Sequence, residues 1–203
     1  MGHAGAAAAA VRYLRSAPLP GPMEALPRPE LRCVREDERT PVDQAAFRSV
    51  LGAFATGVTV ITAPAAEEDE ESPAGFACQS FSSLSLDPPL VCFMVGRTST
   101  TWPRIARTGA FCVNVLAAGQ GELCRSFAVS GADKFAGVAY DAAPVSGSPR
   151  LTGAAAWIDC TVHAVHTGGD HLIVVGRVDA LGAAERGEPL IFHRGRFARL
   201  VES

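Results

Sequence analysis

Two strand-like runs, Ala156–His166 and His171–Val178, are separated only by Thr167-Gly168-Gly169-Asp170. Glycine at a tight reversal supplies backbone conformations that other residues resist, so the pair reads as an antiparallel hairpin. The chain holds further strands to join it. Val58–Thr62 is β-branched, Leu90–Val95 and Phe111–Val115 are apolar runs, and Leu190–Phe192 and Arg196–Leu200 flank Gly195 as a last hairpin. Helical patterns are few. Thr101–Thr108 is closed by Gly109, and Gly121–Phe127 is a second short segment. A third follows Thr40-Pro41-Val42-Asp43. There Thr40 is expected to cap, Pro41 to fill the first turn and Asp43 to stand as the capping-box acid. Phe47, Val50, Leu51 and Phe54 give its apolar spacing, and Gly57 is expected to stop it. Many strands with few helices predict a mainly β protein, an antiparallel barrel carrying short helical insertions.

The chain has 203 residues, enough for one domain with a real core, expected over 41–203. Residues 1–40 are rich in Ala, Pro and Arg without an apolar period, and read as a disordered or variable extension. An over-long translated start is the other reading, with Met23 as an alternative initiator. Ala4–Ala10 precedes Arg12 and Arg15, the reverse of a signal peptide's order, and no segment approaches a membrane span. Glu67–Glu71 reads as a solvated acidic loop. A net charge of −3 and a pI of 5.9 argue against a nucleic-acid partner. Of the six cysteines no pair forms Cys-x-x-Cys, and Cys78, Cys92, Cys112 and Cys160 lie in apolar runs that suit buried thiols. A reducing, cytoplasmic location without a metal centre is expected.

The stretch Gly75–Val91 carries the chemistry. It sets Gln79, Ser80, Ser83 and Ser85 between apolar residues and turns sharply at Asp87-Pro88-Pro89. Hydroxyls and a carboxamide on one strand suit the edge of a planar polar heterocycle. No strong nucleophile with a base beside it is present, so the stretch reads as holding a cofactor. Next comes Gly96-Arg97-Thr98-Ser99-Thr100-Thr101-Trp102, a strand-to-helix junction. Such a junction offers N–H groups and hydroxyls to a phosphate. Plain N-capping by Thr101 explains it equally well. No Gly-x-Gly-x-x-Gly after a strand, no phosphate-loop motif and no Gly-x-Ser-x-Gly occurs. His171 opens a strand just after a glycine turn, where a side chain reaches solvent or a cleft; a structural role is the alternative.

Taken together the segments resemble the short-chain flavin reductase family, the reductase components of two-component flavin-dependent monooxygenases. The resemblance runs through Phe47–Gly52 with Thr56–Thr62, Gly75–Val91, Ser99–Pro103, Phe111–Val115, Phe127-Ala128 with Asp133-Lys134-Phe135, Gly169-Asp170-His171, and Pro189–Phe192 with Arg194–Phe197. These stand in the family's order. The resemblance implies a Greek-key split β-barrel, a homodimer, and FAD or FMN as cofactor. It implies that an Ala77–Ser85 strand, with Ala77, Cys78, Gln79, Ser80, Ser83 and Ser85, lies along the flavin. It implies that Arg97, Ser99, Thr100, Thr101 and Trp102 hold the phosphate. His171 would stand beside the nicotinamide of NADH, the favoured donor, or of NADPH. Many members have Thr at the position of Ala77, so here only backbone contacts are expected.

On this resemblance hydride passes from the nicotinamide to the flavin, and the protein stacks and orients two rings. Reduced flavin would then reach a separate monooxygenase component by diffusion. Two other readings compete. One is a split-barrel protein that holds flavin without turnover, and one is an oxidase of the pyridoxamine-phosphate type. The Gly169-Asp170-His171 turn favours the reductase.

Overall fold

The computed structural model describes residues 42–65, 72–131, 133–185 and 187–200, all within the unit Val42–Ser203. The extension expected over 1–40, Thr40, Pro41 and the Glu67–Glu71 run lie outside the described residues. Helix α1 (Gln44–Leu51) leads to β1 (Thr56–Gly57) and β2 (Thr59–Ala63), then β3 (Ala74–Cys78), β4 (Ser82–Leu86) and β5 (Pro89–Gly96). Helix α2 (Trp102–Thr108), β6 (Ala110–Val115) and helix α3 (Gly121–Ala128) follow. Two hairpins come next, β7 (Tyr140–Ala142) with β8 (Pro149–Leu151), and β9 (Ala156–Gly168) with β10 (His171–Ala183). β11 (Ile191–His193) and β12 (Arg196–Ala198) close the series.

The main sheet runs β3-β2-β6-β9-β10-β5-β4, and its neighbours pair antiparallel. Its two edge strands are consecutive in the chain, and that curls it. Cys78 and Ser82 are joined through Gln79-Ser80-Phe81, a tether of about 14 Å at full stretch. Laid flat, seven strands would set those edges about 29 Å apart. The sheet must therefore bend into a barrel, split where β3 and β4 share no ladder. The Ser80 hydroxyl bridges that seam. It donates to the Met94 carbonyl at 3.0 Å and accepts from the Met94 N–H at 3.1 Å.

Every residue of β2 is buried, because the strand has core on both faces. Ile61 packs inside the barrel with Phe93, Phe111, Val113, Val174 and Ile105. Phe93 centres that cluster, edge-on to Phe111 at 5.2 Å and to Phe76 at 5.9 Å. Burying one such ring contributes about 1.5–3 kcal/mol. Val60 faces a second cluster with Leu116, Phe127, Phe135, Leu151 and Leu190. Gly176 of β10 has no room for a side chain, since a Cβ there would stand 2.4 Å from the Phe111 ring.

A buried polar network ties the β7–β8 hairpin to the barrel. The Asn114 amide donates to Val60 O at 3.3 Å, Thr62 Oγ1 at 3.1 Å and Pro149 O at 3.2 Å, and accepts from the Leu151 N–H at 2.7 Å. The buried Asp159 carboxylate accepts from the Val145 and Ser146 N–H groups at 2.9 and 3.1 Å and from the Ser146 hydroxyl.

Four local expectations need correction. The N-cap of α1 is Asp43, whose carboxylate accepts from the Ala46 N–H at 3.0 Å. The helix stops at Leu51 and not at Gly57, because the Gly52 carbonyl is taken by the Arg194 N–H at 2.9 Å. Phe47, Val50, Leu51 and Phe54 consequently face outward rather than into the core. The Ala77–Ser85 stretch is not one strand, since Gln79–Phe81 carries the chain from one edge of the sheet to the other. Thr101 precedes α2 without a side-chain capping bond, and the Ser99 hydroxyl accepts from the Trp102 N–H at 3.1 Å instead.

Candidate cofactor cleft

The edge-to-edge crossing at Gln79–Phe81 leaves a cleft of about 570 Å³ beside the barrel seam. One wall is the end of β3 with Ala77, Cys78, Gln79 and Ser80. Facing it are Met94, Val95 and Gly96 from β5 and the loop Thr98–Thr101. Phe127, Ala128, Ser130 and Lys134 complete it, with His171 at the start of β10. His171 is there because it pairs with Gly96 in the β5–β10 ladder. At Gly96 the backbone itself lines the cleft, with Thr98 Oγ1 and His171 Nε2 about it, 3.9 and 4.0 Å from where a Cβ would stand.

Eight of the expected site residues therefore come together: Ala77, Cys78, Gln79, Ser80, Ser99, Thr100, Thr101 and His171. Four do not line the cleft. Ser83 and Ser85 lie on β4, paired with Val91 and Leu90. Arg97 is exposed, its N–H donating to the Asp170 carbonyl at 3.0 Å. Trp102 packs in the core, edge-on to Phe93 at 6.1 Å. In the other direction, Lys134 was not among the residues singled out. It sat only inside the Asp133-Lys134-Phe135 match, and a lysine in a loop carries no periodic signal. Its ammonium donates to the Gly75 carbonyl at 3.0 Å. Burial, with Arg104 nearby, pulls its pKa below the ordinary lysine value.

His171 Nδ1 lies 2.8 Å from the Asp170 carboxylate. That hydrogen bond first, and the imidazole charge second, hold Asp170 below the usual carboxylate range. With Nδ1 engaged, Nε2 is the nitrogen turned toward the cleft side of Gly96.

Cys78 lines the cleft as a thiol. Its sulfur is 3.3 Å from the Ser80 hydroxyl, yet burial pushes the thiol pKa up against that bond. A raised pKa makes a poor nucleophile and a poor redox centre. Cys78, Cys112, Cys124 and Cys160 are buried and Cys92 half-buried, and these described cysteines are free. On the flavin reductase resemblance, Cys78→Ala is expected to keep most flavin reduction, measured as oxidation of the nicotinamide donor. Loss of turnover with normal flavin binding would contradict this.

The residues present suit a flavin. Ala77, Phe76, Val95, Phe127 and Ala128 give apolar wall for a flat ring, Gln79 gives a carboxamide for its edge, and Ser99, Thr100 and Lys134 give hydroxyls and a cation for an anionic tail.

Comparison with known proteins agrees with a flavin as the cofactor. The model of the flavin reductase like domain matches residues 51–201. The reductase subunit HsaB of a flavin-dependent monooxygenase from Rhodococcus jostii is 49% identical over 156 residues, 77% of each chain. An NADH-dependent FAD reductase from Streptomyces globisporus is 38% identical over 165 residues, covering 79% of this chain and 88% of the relative. Among solved structures, the Streptomyces globisporus NADH:FAD oxidoreductase SgcE6, in complex with NAD and FAD fragments, superposes with a TM-score of 0.73. It is 38% identical and the match covers 78% of this chain and 93% of that one.

Proposed function

The chain belongs to the flavin reductase-like domain family, and from that premise we propose that it is an NAD(P)H:flavin oxidoreductase. It binds FAD or FMN in the cleft at the barrel seam, oxidises NADH in preference to NADPH, and supplies reduced flavin to a separate monooxygenase component. The observation that carries this is the cleft itself: a slot between β3 and β5 lined by both apolar and polar groups, with hydroxyls and Lys134 at the Thr98–Thr101 side and His171 alongside. The SgcE6 structure with NAD and FAD fragments supports the two nucleotides, and the HsaB relative supports the monooxygenase partner.

A flavin bound there supplies the hydride acceptor. The protein's own part is placement. The β3 end and the Phe127-Ala128 wall exclude water from the ring faces. The Gln79 carboxamide fixes the ring edge, and Ser99, Thr100 and Lys134 hold the phosphate. His171, oriented by Asp170, presents Nε2 to the hydride donor. No general base is required, because a hydride moves without a proton transfer at a substrate carbon.

Exposed apolar side chains on and after α1, from Phe47, Val50, Leu51 and Phe54, support a homodimer through this face. The free thiols suit a reducing, cytoplasmic location. The test is NADH and NADPH oxidation with and without added FMN and FAD. NADH oxidation that requires added flavin is expected. A yellow protein that leaves NADH unconsumed would make it a flavin holder instead.

His171→Ala is expected to raise KM for NADH or lower kcat about tenfold, about 1.4 kcal/mol, while flavin affinity changes less than threefold. Steady-state kinetics at saturating flavin, beside a flavin titration, decide it. A collapse of flavin affinity with intact NADH parameters would assign His171 to the flavin.

A further inference from the structure

A second cleft, of about 640 Å³, shares Ala77, Cys78, Gln79 and Ala128 with the first. A ligand in one therefore touches the same strand end as a ligand in the other. Its far wall is apolar, with Phe192 and Phe197 edge to face at 5.8 Å. Gly195 joins it to a hollow of about 460 Å³ lined by Arg48, Ser49, Gly52 and Arg194. No carboxylate lines this cleft or the hollow among the described residues. Arg125 is engaged with Glu122 and lies over the Phe197 ring at 5.2 Å. Arg48 and Arg194 form no ion pair with a described acid.

Arg194 has a φ of 48°, the one positive value on a non-glycine residue among the described residues. With Gly195 at 77° it makes the two-residue turn of the β11–β12 hairpin, where His193 pairs with Arg196. Asparagine-glycine fills such a turn at least cost, so arginine here bears backbone strain the turn does not need. A strained position of this kind points to a use for the side chain. The Arg194 N–H bonds the Gly52 carbonyl at 2.9 Å, which ties the hairpin turn to the end of α1, and both arginines line the one hollow. Arg48 alone is explained by the C-terminal dipole of α1. A second guanidinium in a left-handed position is not.

We propose that Arg48 and Arg194 bind the diphosphate of the nicotinamide dinucleotide donor, whose redox ring lies at the shared Ala77–Gln79 wall. Guanidinium forks match phosphate oxygens, and an acid-free hollow leaves them available. The proposal takes its ligand class from the reductase reading. The flavin phosphate is assigned there to the Thr98–Thr101 side of the first cleft, which shares no residue with the hollow, so the arginines are left to the donor. NADH carries the adenosine diphosphate unit, whereas reduced nicotinamide mononucleotide lacks it, so these arginines select the dinucleotide donor over the mononucleotide.

The experiment is calorimetric titration of the flavin-free protein with ADP-ribose, in wild type, Arg48→Gln and Arg194→Asn. Asparagine suits the left-handed turn, so Arg194→Asn is expected to keep or raise the melting temperature while losing at least tenfold in ADP-ribose affinity. Equal affinity in all three proteins, or no binding to wild type, overturns the proposal. A further arm identifies the source. A falling preference for NADH over reduced nicotinamide mononucleotide in the variants, with the FAD-over-FMN affinity ratio level, assigns the site to the donor. A falling FAD-over-FMN ratio, or an unchanged NADH preference, overturns the proposal. ADP-ribose binding through these arginines in a protein that reduces no flavin would sink the reductase reading and leave this site standing.

Discussion

Asn114→Leu is expected to cost the barrel about 3–5 kcal/mol, although leucine has nearly the same volume. The amide makes four hydrogen bonds in a site with no solvent exposure. Removing it leaves the Leu151 N–H without its acceptor and the Val60 and Pro149 carbonyls each short of a donor. Each such buried group costs about 1–3 kcal/mol, and in a low-dielectric network the losses reinforce each other. Asn114 also ties three elements together, since it stands on β6 and its partners lie on β2 and at the two ends of β8. Urea unfolding measures the loss directly. For a domain of this size, about 2–4 °C of melting temperature goes with each kcal/mol. A change under 1 kcal/mol would show that the hairpin is held by Asp159 and by apolar contact alone.

That network also marks where the sequence stops being readable. The long hairpin was legible because β-branched runs meet at a glycine turn, and β9 and β10 indeed flank Gly169-Asp170. The turn at Asp87-Pro88 was legible from its own Asp-Pro-Pro composition, and β4 pairs β5 across it. The β7–β8 hairpin was not. Its strands are three residues each, and what holds them is Asn114 and Asp159 from elsewhere in the chain, which no local pattern encodes. The α1 boundary failed similarly. Phe54 continues the helical spacing, but the Gly52 carbonyl is captured by Arg194, far away in sequence.

The cofactor cleft divides along the same line. Ala77–Ser80 and Ser99–Thr101 were legible because each is a contiguous run with a composition suited to a polar ring and a phosphate. Ser83 and Ser85 share that composition and still fall outside, because the chain crosses from one sheet edge to the other between them and Gln79. Trp102 sits one residue beyond the loop, and the start of α2 turns it into the core. The cation that lines the cleft is Lys134, which only the tertiary fold places there by bringing the loop after α3 to the mouth of β3.

Lys134→Met is accordingly expected to weaken FMN binding about ten- to a hundredfold, the roughly 1.5–3 kcal/mol of a charge-assisted bond to phosphate. Methionine keeps most of the apolar stem and removes the charge together with the hydrogen bond to the Gly75 carbonyl. One ammonium proton is spent on the Gly75 carbonyl, which leaves two for a ligand. Riboflavin, without the phosphate, should lose less than threefold. The pH dependence separates ligand from fold. Burial, then Arg104, lowers this lysine's pKa, so FMN affinity should fall as pH rises through that lowered value, while riboflavin affinity stays level. In the ligand-free protein the sign reverses. The unfolded chain holds the proton longer than the folded one, so stability rises between the lowered folded pKa and the ordinary lysine value. Fluorescence titrations of FMN and riboflavin against wild type and variant read all of this. Equal losses for both flavins would mean that Lys134 acts by holding β3 through Gly75, and that the phosphate is bound by the Ser99–Thr101 hydroxyls without it.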